Sequence, residues 1–134
     1  MNDELEAIKR RKLEKLLHRV TGQEAEYPSS PLHVDEKALG EVVQRYPLVL
    51  VDFYADWCQP CRMLAPVIDE LAAELRGRVV FAKLNVDQNP QAAMRYQALS
   101  VPTLVLFKQG RVADRTVGAM PKQALLSWLK RHIE

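Results

Sequence analysis

Along this 134-residue chain the spacing of apolar positions changes several times, and each change marks an element. Leu5, Ile8, Leu13, Leu16, Leu17 and Val20 recur at helical spacing and predict one helix over the first 20 residues. Asp3, Glu4 and Glu6 sit at its start and Lys12, Lys15 and Arg19 toward its end, the order a helix dipole favours. "TGQEAEYPSSP" (21–31) loses the periodicity and carries two prolines, two serines and a glycine, which marks a linker. The chain is therefore expected to divide into an N-terminal helical extension with its linker, 1–31, and a domain over 32–134.

Inside that domain strand and helix signals alternate. "LHV" from Leu32 is a short strand candidate, and Asp35 is placed to cap a helix running through Val43. "LVLVDFY" (48–54) is a nearly continuous apolar run, the mark of a strand covered on both faces. A helix follows from about Pro60 to Arg76, with Cys61, Leu64, Ile68, Leu71, Ala72 and Leu75 as its apolar stripe. Pro66 lies inside it and is expected to kink it. "RVVFAKLNV" (78–86) predicts a strand, and "PQAAMRYQ" (90–97) a short helix opened by proline. "TLVLFK" (103–108), a "QG" turn and "RVADRTV" (111–117) predict a hairpin, and a helix over 121–133 closes the chain. The order β-α-β-α-β-α-β-β-α joins a parallel unit to an antiparallel hairpin. It predicts an α/β fold with a mixed central sheet flanked by helices on both faces.

Composition narrows the function. Nineteen basic residues against 17 acidic leave a net charge of +2, which gives no electrostatic case for nucleic acid. No apolar run approaches the ~18 residues of a membrane span, so no membrane partner is expected. The first residues, "MNDELEAIKRRKLEK", are charged throughout and are not a secretory signal, so a cytoplasmic location is the default expectation. There a lasting disulfide is unusual, and a close cysteine pair points to catalysis or metal binding.

Both cysteines, Cys58 and Cys61, lie in "DFYADWCQPCRMLAP" (52–66). Cys58 falls at a predicted helix N-terminus, where unpaired N–H groups and the dipole stabilise a thiolate. Cys61 is one turn away on the same face and within disulfide reach, and Pro60 stiffens the link. In an exchange reaction Cys58 would attack a substrate disulfide and Cys61, facing the core, would resolve the mixed disulfide. Zinc wants four ligands, and His18, His33 and His132 stand at no finger-like spacing from this pair. An iron–sulfur cluster wants four cysteines, so no metal site is expected. A redox couple and two inert buried thiols both remain open on these grounds.

"LVLVDFYADWCQPCRMLAPVIDELA", "KLNVDQNP", "SVPTLVLFKQG" and "VGA" stand in this order from about Leu32 to the C-terminus. Together they resemble the thioredoxin family, of WCxPC type. The resemblance implies a thioredoxin fold with an extra N-terminal helix. It also implies a general protein disulfide reductase whose only redox group is the Cys58–Cys61 pair, with no further cofactor. By the same resemblance Asp52 lies beneath the resolving cysteine and assists its deprotonation, while the charge of Lys83 tunes that aspartate. Burial alone would raise the pKa of such a carboxyl. Trp57, Gln59 and Pro60 are implied to meet the substrate. Val101 precedes an implied cis Pro102 and pairs through its backbone with an extended substrate segment. Gly118 and Ala119 complete the docking surface. Implied partners are disulfide-containing proteins and a thioredoxin reductase, linked to NADPH or ferredoxin.

Three departures stand out. Gln59 occupies a position where glycine is most frequent in the family, adding bulk and polarity without charge. Tyr54 stands where many members have a second tryptophan, keeping an aromatic body with a polar tip. The extension lacks the zinc-binding cysteines of one family branch. It is expected to be a solvated helix or a docking element, giving a monomer or an extension-mediated homo-oligomer. A disulfide oxidase or isomerase, and a redox-inert binding module, are the competing functions.

Overall fold

The computed structural model describes residues 4–10 and 27–133. Residues 4–10 are helical (α1), with Leu5 and Ile8 about half exposed. The rest of the predicted first helix, with Leu13, Leu16, Leu17 and Val20, lies outside the described residues, as does the linker up to residue 26.

From there the elements are β1 (Leu32–His33), α2 (Glu36–Arg45), β2 (Leu48–Tyr54), α3 (Gln59–Glu74), β3 (Val80–Asn85), α4 (Pro90–Arg95), β4 (Thr103–Lys108), β5 (Arg111–Val117) and α5 (Lys122–Ile133). One five-stranded sheet has the order β1-β3-β2-β4-β5. β1 and β2 run parallel to β3, whereas β4 is antiparallel to both β2 and β5. The predicted mixed sheet is therefore the observed one, and β2 sits at its centre.

Period-two alternation on β2 sorts the core into two layers. Val49, Val51 and Phe53 join Leu39 and Val43 of α2 and Ala92 and Ala93 of α4 on one face. Leu48 and Leu50 join Leu64, Ile68 and Leu71 of α3 and Leu125 and Leu129 of α5 on the other. Asp52 alternates with Phe53, so it belongs to the face that α3 covers. Helices thus flank the sheet on both sides, as the pattern predicts.

Helix ends follow local chemistry. The Asp35 side chain accepts the Ala38 N–H at 2.8 Å and opens α2. α3 continues through Pro66 to Glu74, then closes as the N–H groups of Arg78 and Val79 reach the Leu75 carbonyl. That turn needs Gly77 at φ +90° and delays β3 to Val80, two residues later than the apolar run suggests. α4 stops at Arg95, since Gln97 turns left-handed at φ +57°. N-terminal to β1, Tyr27 is buried edge-on against Tyr46, and Arg76 Nε donates to its carbonyl at 2.8 Å. Among the described residues no helix is long and apolar enough to cross a membrane.

Candidate active site

β2 ends at Tyr54, and after four intervening residues α3 begins, so the cysteine pair sits where the central strand hands over to a helix. Cys58 is the N-cap of α3, and its Sγ accepts the Cys61 N–H at 3.2 Å. Sulfur thus takes the role a serine or aspartate oxygen fills at other helix starts. Pro60 fits this first turn because its missing N–H would have no partner there. Cys58 and Cys61 are disulfide-bonded, their Cα atoms 5.2 Å apart. Both cysteines are buried, packed with Ala55 and flanked by Tyr54, Val86 and Val101.

The second wall comes from the start of β4. The Val101–Pro102 bond is cis, and the Val101 carbonyl oxygen lies 3.6 Å from Cys58 Sγ. The Pro102 carbonyl accepts the Gly118 N–H at 2.8 Å, which ties the end of β5 to this loop. Gly118 has φ +95°, a conformation that side chains disfavour, although a Cβ there would meet no neighbour. Ala119 beside it is exposed. Trp57 is 68% exposed and Leu99 82% exposed, so the rim of the site is apolar.

Asp52 is 1% exposed, and neither carboxylate oxygen has a hydrogen-bond partner among the described residues. Burial pushes its carboxyl up from 3.8 to about 7, and the Lys83 ammonium works against that rise. Lys83 is its register partner across the parallel β2–β3 pair, with Nζ 4.7 Å above the centre of the Tyr54 ring. Asp52 therefore changes charge near neutral pH, on the sheet face beneath α3.

A polar belt braces the loop before Cys58. Arg62 donates from Nη1 to the Asp56 carbonyl at 2.9 Å and from Nη2 to Gln59 Oε1 at 3.1 Å. Trp57 Nε1 donates to Asp87 Oδ2 at 2.8 Å, and the Asp87 N–H donates to Asn85 Oδ1 at 2.9 Å. Gln59 is thereby a partner of Arg62, one turn along α3. Asp87 was not legible in the sequence, because its contact with Trp57 spans 30 residues and no local period announces it; Arg62 was within reach, since it stands three residues after Gln59 on the same helix.

Cys58, Cys61, Trp57, Gln59 and Pro60 share one loop and helix start, and Val101 joins them across the sheet. Asp52 and Lys83 lie side by side on neighbouring strands, while Gly118 reaches Pro102 from β5. Among the described residues no cluster of three or more His, Cys, Asp and Glu is disposed to hold a metal ion. Two cysteines one helical turn apart at a helix N-terminus, with a carboxyl that titrates near neutrality on the central strand leading into that turn, define a thiol–disulfide oxidoreductase.

Comparison with known proteins agrees. The thioredoxin family model matches residues 30–131. Thioredoxin 1 of Nostoc sp. is 48% identical over 93 residues, covering 69% of this chain and 87% of its own. Thioredoxin 2 of Chlorobaculum tepidum is 46% identical over 99 residues, covering 74% and 91% respectively. The solved structure of a mutant thioredoxin from Halobacterium salinarum superposes with a TM-score of 0.76 at 39% identity, over 81% of this chain and 95% of that one. The chain belongs to the thioredoxin family. It is a protein-disulfide reductase whose redox group is its own cysteine pair.

Proposed function

We propose that the protein is a general reductant of protein disulfides, with Cys58 as nucleophile and Cys61 as resolving thiol. The observation carrying the assignment is the Cys61 N–H donated to Cys58 Sγ at the start of α3. In the reduced protein that N–H and the helix dipole favour the Cys58 thiolate over the thiol. Cys58 attacks one sulfur of the target disulfide, its S–S bond breaks, and the released target thiolate takes a proton. Cys61, deprotonated by the Asp52 carboxylate, then attacks Cys58 Sγ and breaks the mixed disulfide. The second target thiolate leaves and is protonated, and the Cys58–Cys61 disulfide remains. Two electrons and two protons have passed to the target.

Lys83 holds the Asp52 carboxyl near 7 by opposing the upward push of burial, so that it accepts a proton at neutral pH. Trp57, Gln59, Pro60, Gly118 and Ala119 form the rim that meets the target, and Val101 supplies backbone for an extended segment. A thioredoxin reductase returns the pair to its dithiol form, and the cycle runs in the cytoplasm. Both cysteines and Asp52 come from one chain, so a monomer suffices.

Insulin disulfide reduction tests this. Wild-type protein with a dithiol donor is expected to turn over, and Cys58→Ser to be inactive. Retained activity in Cys58→Ser overturns the nucleophile assignment. A reduction potential near the isomerase figure of about −180 mV contradicts a reductant, for which a value near −270 mV is expected.

A further inference from the structure

The carboxyl end of α4 is built in an unusual way. The Ala98 N–H donates to the Ala93 carbonyl at 2.7 Å and the Gln97 N–H to the Met94 carbonyl at 3.1 Å. This bond pair closes a helix around a left-handed residue, where glycine is favoured. Here the left-handed residue is Gln97, at φ +57°. A side chain at such a φ costs about 1–2 kcal/mol.

Arg115 lies directly over this turn. It pairs with Val105 in the β4–β5 ladder, on the sheet face that α4 covers. Its Nη1 donates to the Gln97 carbonyl at 3.2 Å and approaches Gln97 Oε1 at 3.4 Å, and its Nη2 donates to the Tyr96 carbonyl. One guanidinium thus satisfies two carbonyls left open by the helix end.

Three residues separate Gln97 from the residue that meets the disulfide. Ala98 is buried as an anchor, Leu99 is almost fully exposed, the Ser100 carbonyl accepts from Thr103 Oγ1, and the Val101 carbonyl lies 3.6 Å from Cys58 Sγ. The far end is held by β4 and by the Gly118 bond to Pro102. Between these anchors the path of residues 98–101 depends on where the turn at Gln97 is held.

We infer that Arg115 is a positioning residue: by clamping the Tyr96–Gln97 turn it sets residues 99–101 against the Cys58 sulfur for a docked protein substrate. The inference rests on disulfide exchange at Cys58. Loss of the clamp weakens docking of an extended substrate and leaves the thiol chemistry intact, so it acts on KM before kcat.

Kinetics of insulin disulfide reduction, with Tm followed in parallel, test this on the full chain. Arg115→Met keeps the aliphatic stem and is expected to raise KM about three- to tenfold, the scale of one charge-assisted hydrogen bond, with kcat within about twofold. Adding Gln97→Gly removes the left-handed penalty and is expected to bring KM back to within about twofold of wild type. Arg115→Lys, which offers one donor group, is expected to fall between, and it serves if Arg115→Met does not fold. A lower Tm with unchanged KM, or a restored Tm without restored KM in the double variant, overturns the positioning role. A wild-type protein that reduces no insulin overturns the exchange reading itself and this inference with it.

Discussion

Replacing Asp52 by asparagine removes a proton-binding group from beneath α3 while keeping the size and polarity of the side chain. In the folded protein burial holds this carboxyl at about 7, against an ordinary 3.8. Between those two pH values the folded chain keeps the proton and the unfolded chain releases it. Folding then binds a proton, so stability falls as pH rises from about 4 to about 7 and is level above that. At about 1.4 kcal/mol per pH unit, the span is worth on the order of 4 kcal/mol. The opposing pull of Lys83 is already contained in the value of about 7. Asparagine has no such titration. Urea unfolding of the oxidised wild-type and Asp52→Asn proteins, measured from pH 4 to pH 9, reads the difference. Asp52→Asn is expected to gain about 2–4 kcal/mol on wild type as pH rises through this range, most of it by pH 7. Parallel curves would refute the argument, since they would mean that Asp52 titrates alike in both states.

Ile68→Ala empties a fully buried position under α3 and is expected to cost about 2–5 kcal/mol in urea unfolding. Gln59→Gly deletes the Arg62 partner at an exposed helix start, so its expected cost is below about 1 kcal/mol by the same measurement. Asp35→Ala removes the cap of α2 and is expected to cost about 1 kcal/mol, seen as a lower urea midpoint at unchanged slope.

Where one physical signal dominates, sequence and structure coincide. β2, β4 and β5 have the predicted bounds: β2 and β4 are apolar runs with clear ends, and the hairpin turn at Gln109 and Gly110, with positive φ at both residues, sets where β5 begins. The α3 stripe from Cys61 to Leu75 is buried throughout, since its spacing reports a covered helix face. Bounds shift where a turn takes residues that the pattern assigns to an element. β3 starts late because Arg78 and Val79 donate back to Leu75 in the turn after α3, and α4 ends early because Tyr96 and Gln97 belong to the turn under Arg115. Tyr27, within the stretch that reads as linker by its prolines and serines, is buried because Tyr46 and Arg76 receive it. The cysteine pair was legible because its chemistry is local to one helix start. The partners of Trp57 and Gln97 were not, because each contact joins segments whose spacing carries no period.

If Cys58 attacks and Cys61 resolves, a Cys61→Ser protein exposed to insulin cannot release its target. Mass analysis is then expected to find a stable adduct of one insulin chain, released by dithiothreitol and mapped to Cys58. A stable adduct formed by Cys58→Ser through Cys61, with none on Cys61→Ser, would contradict that order of attack.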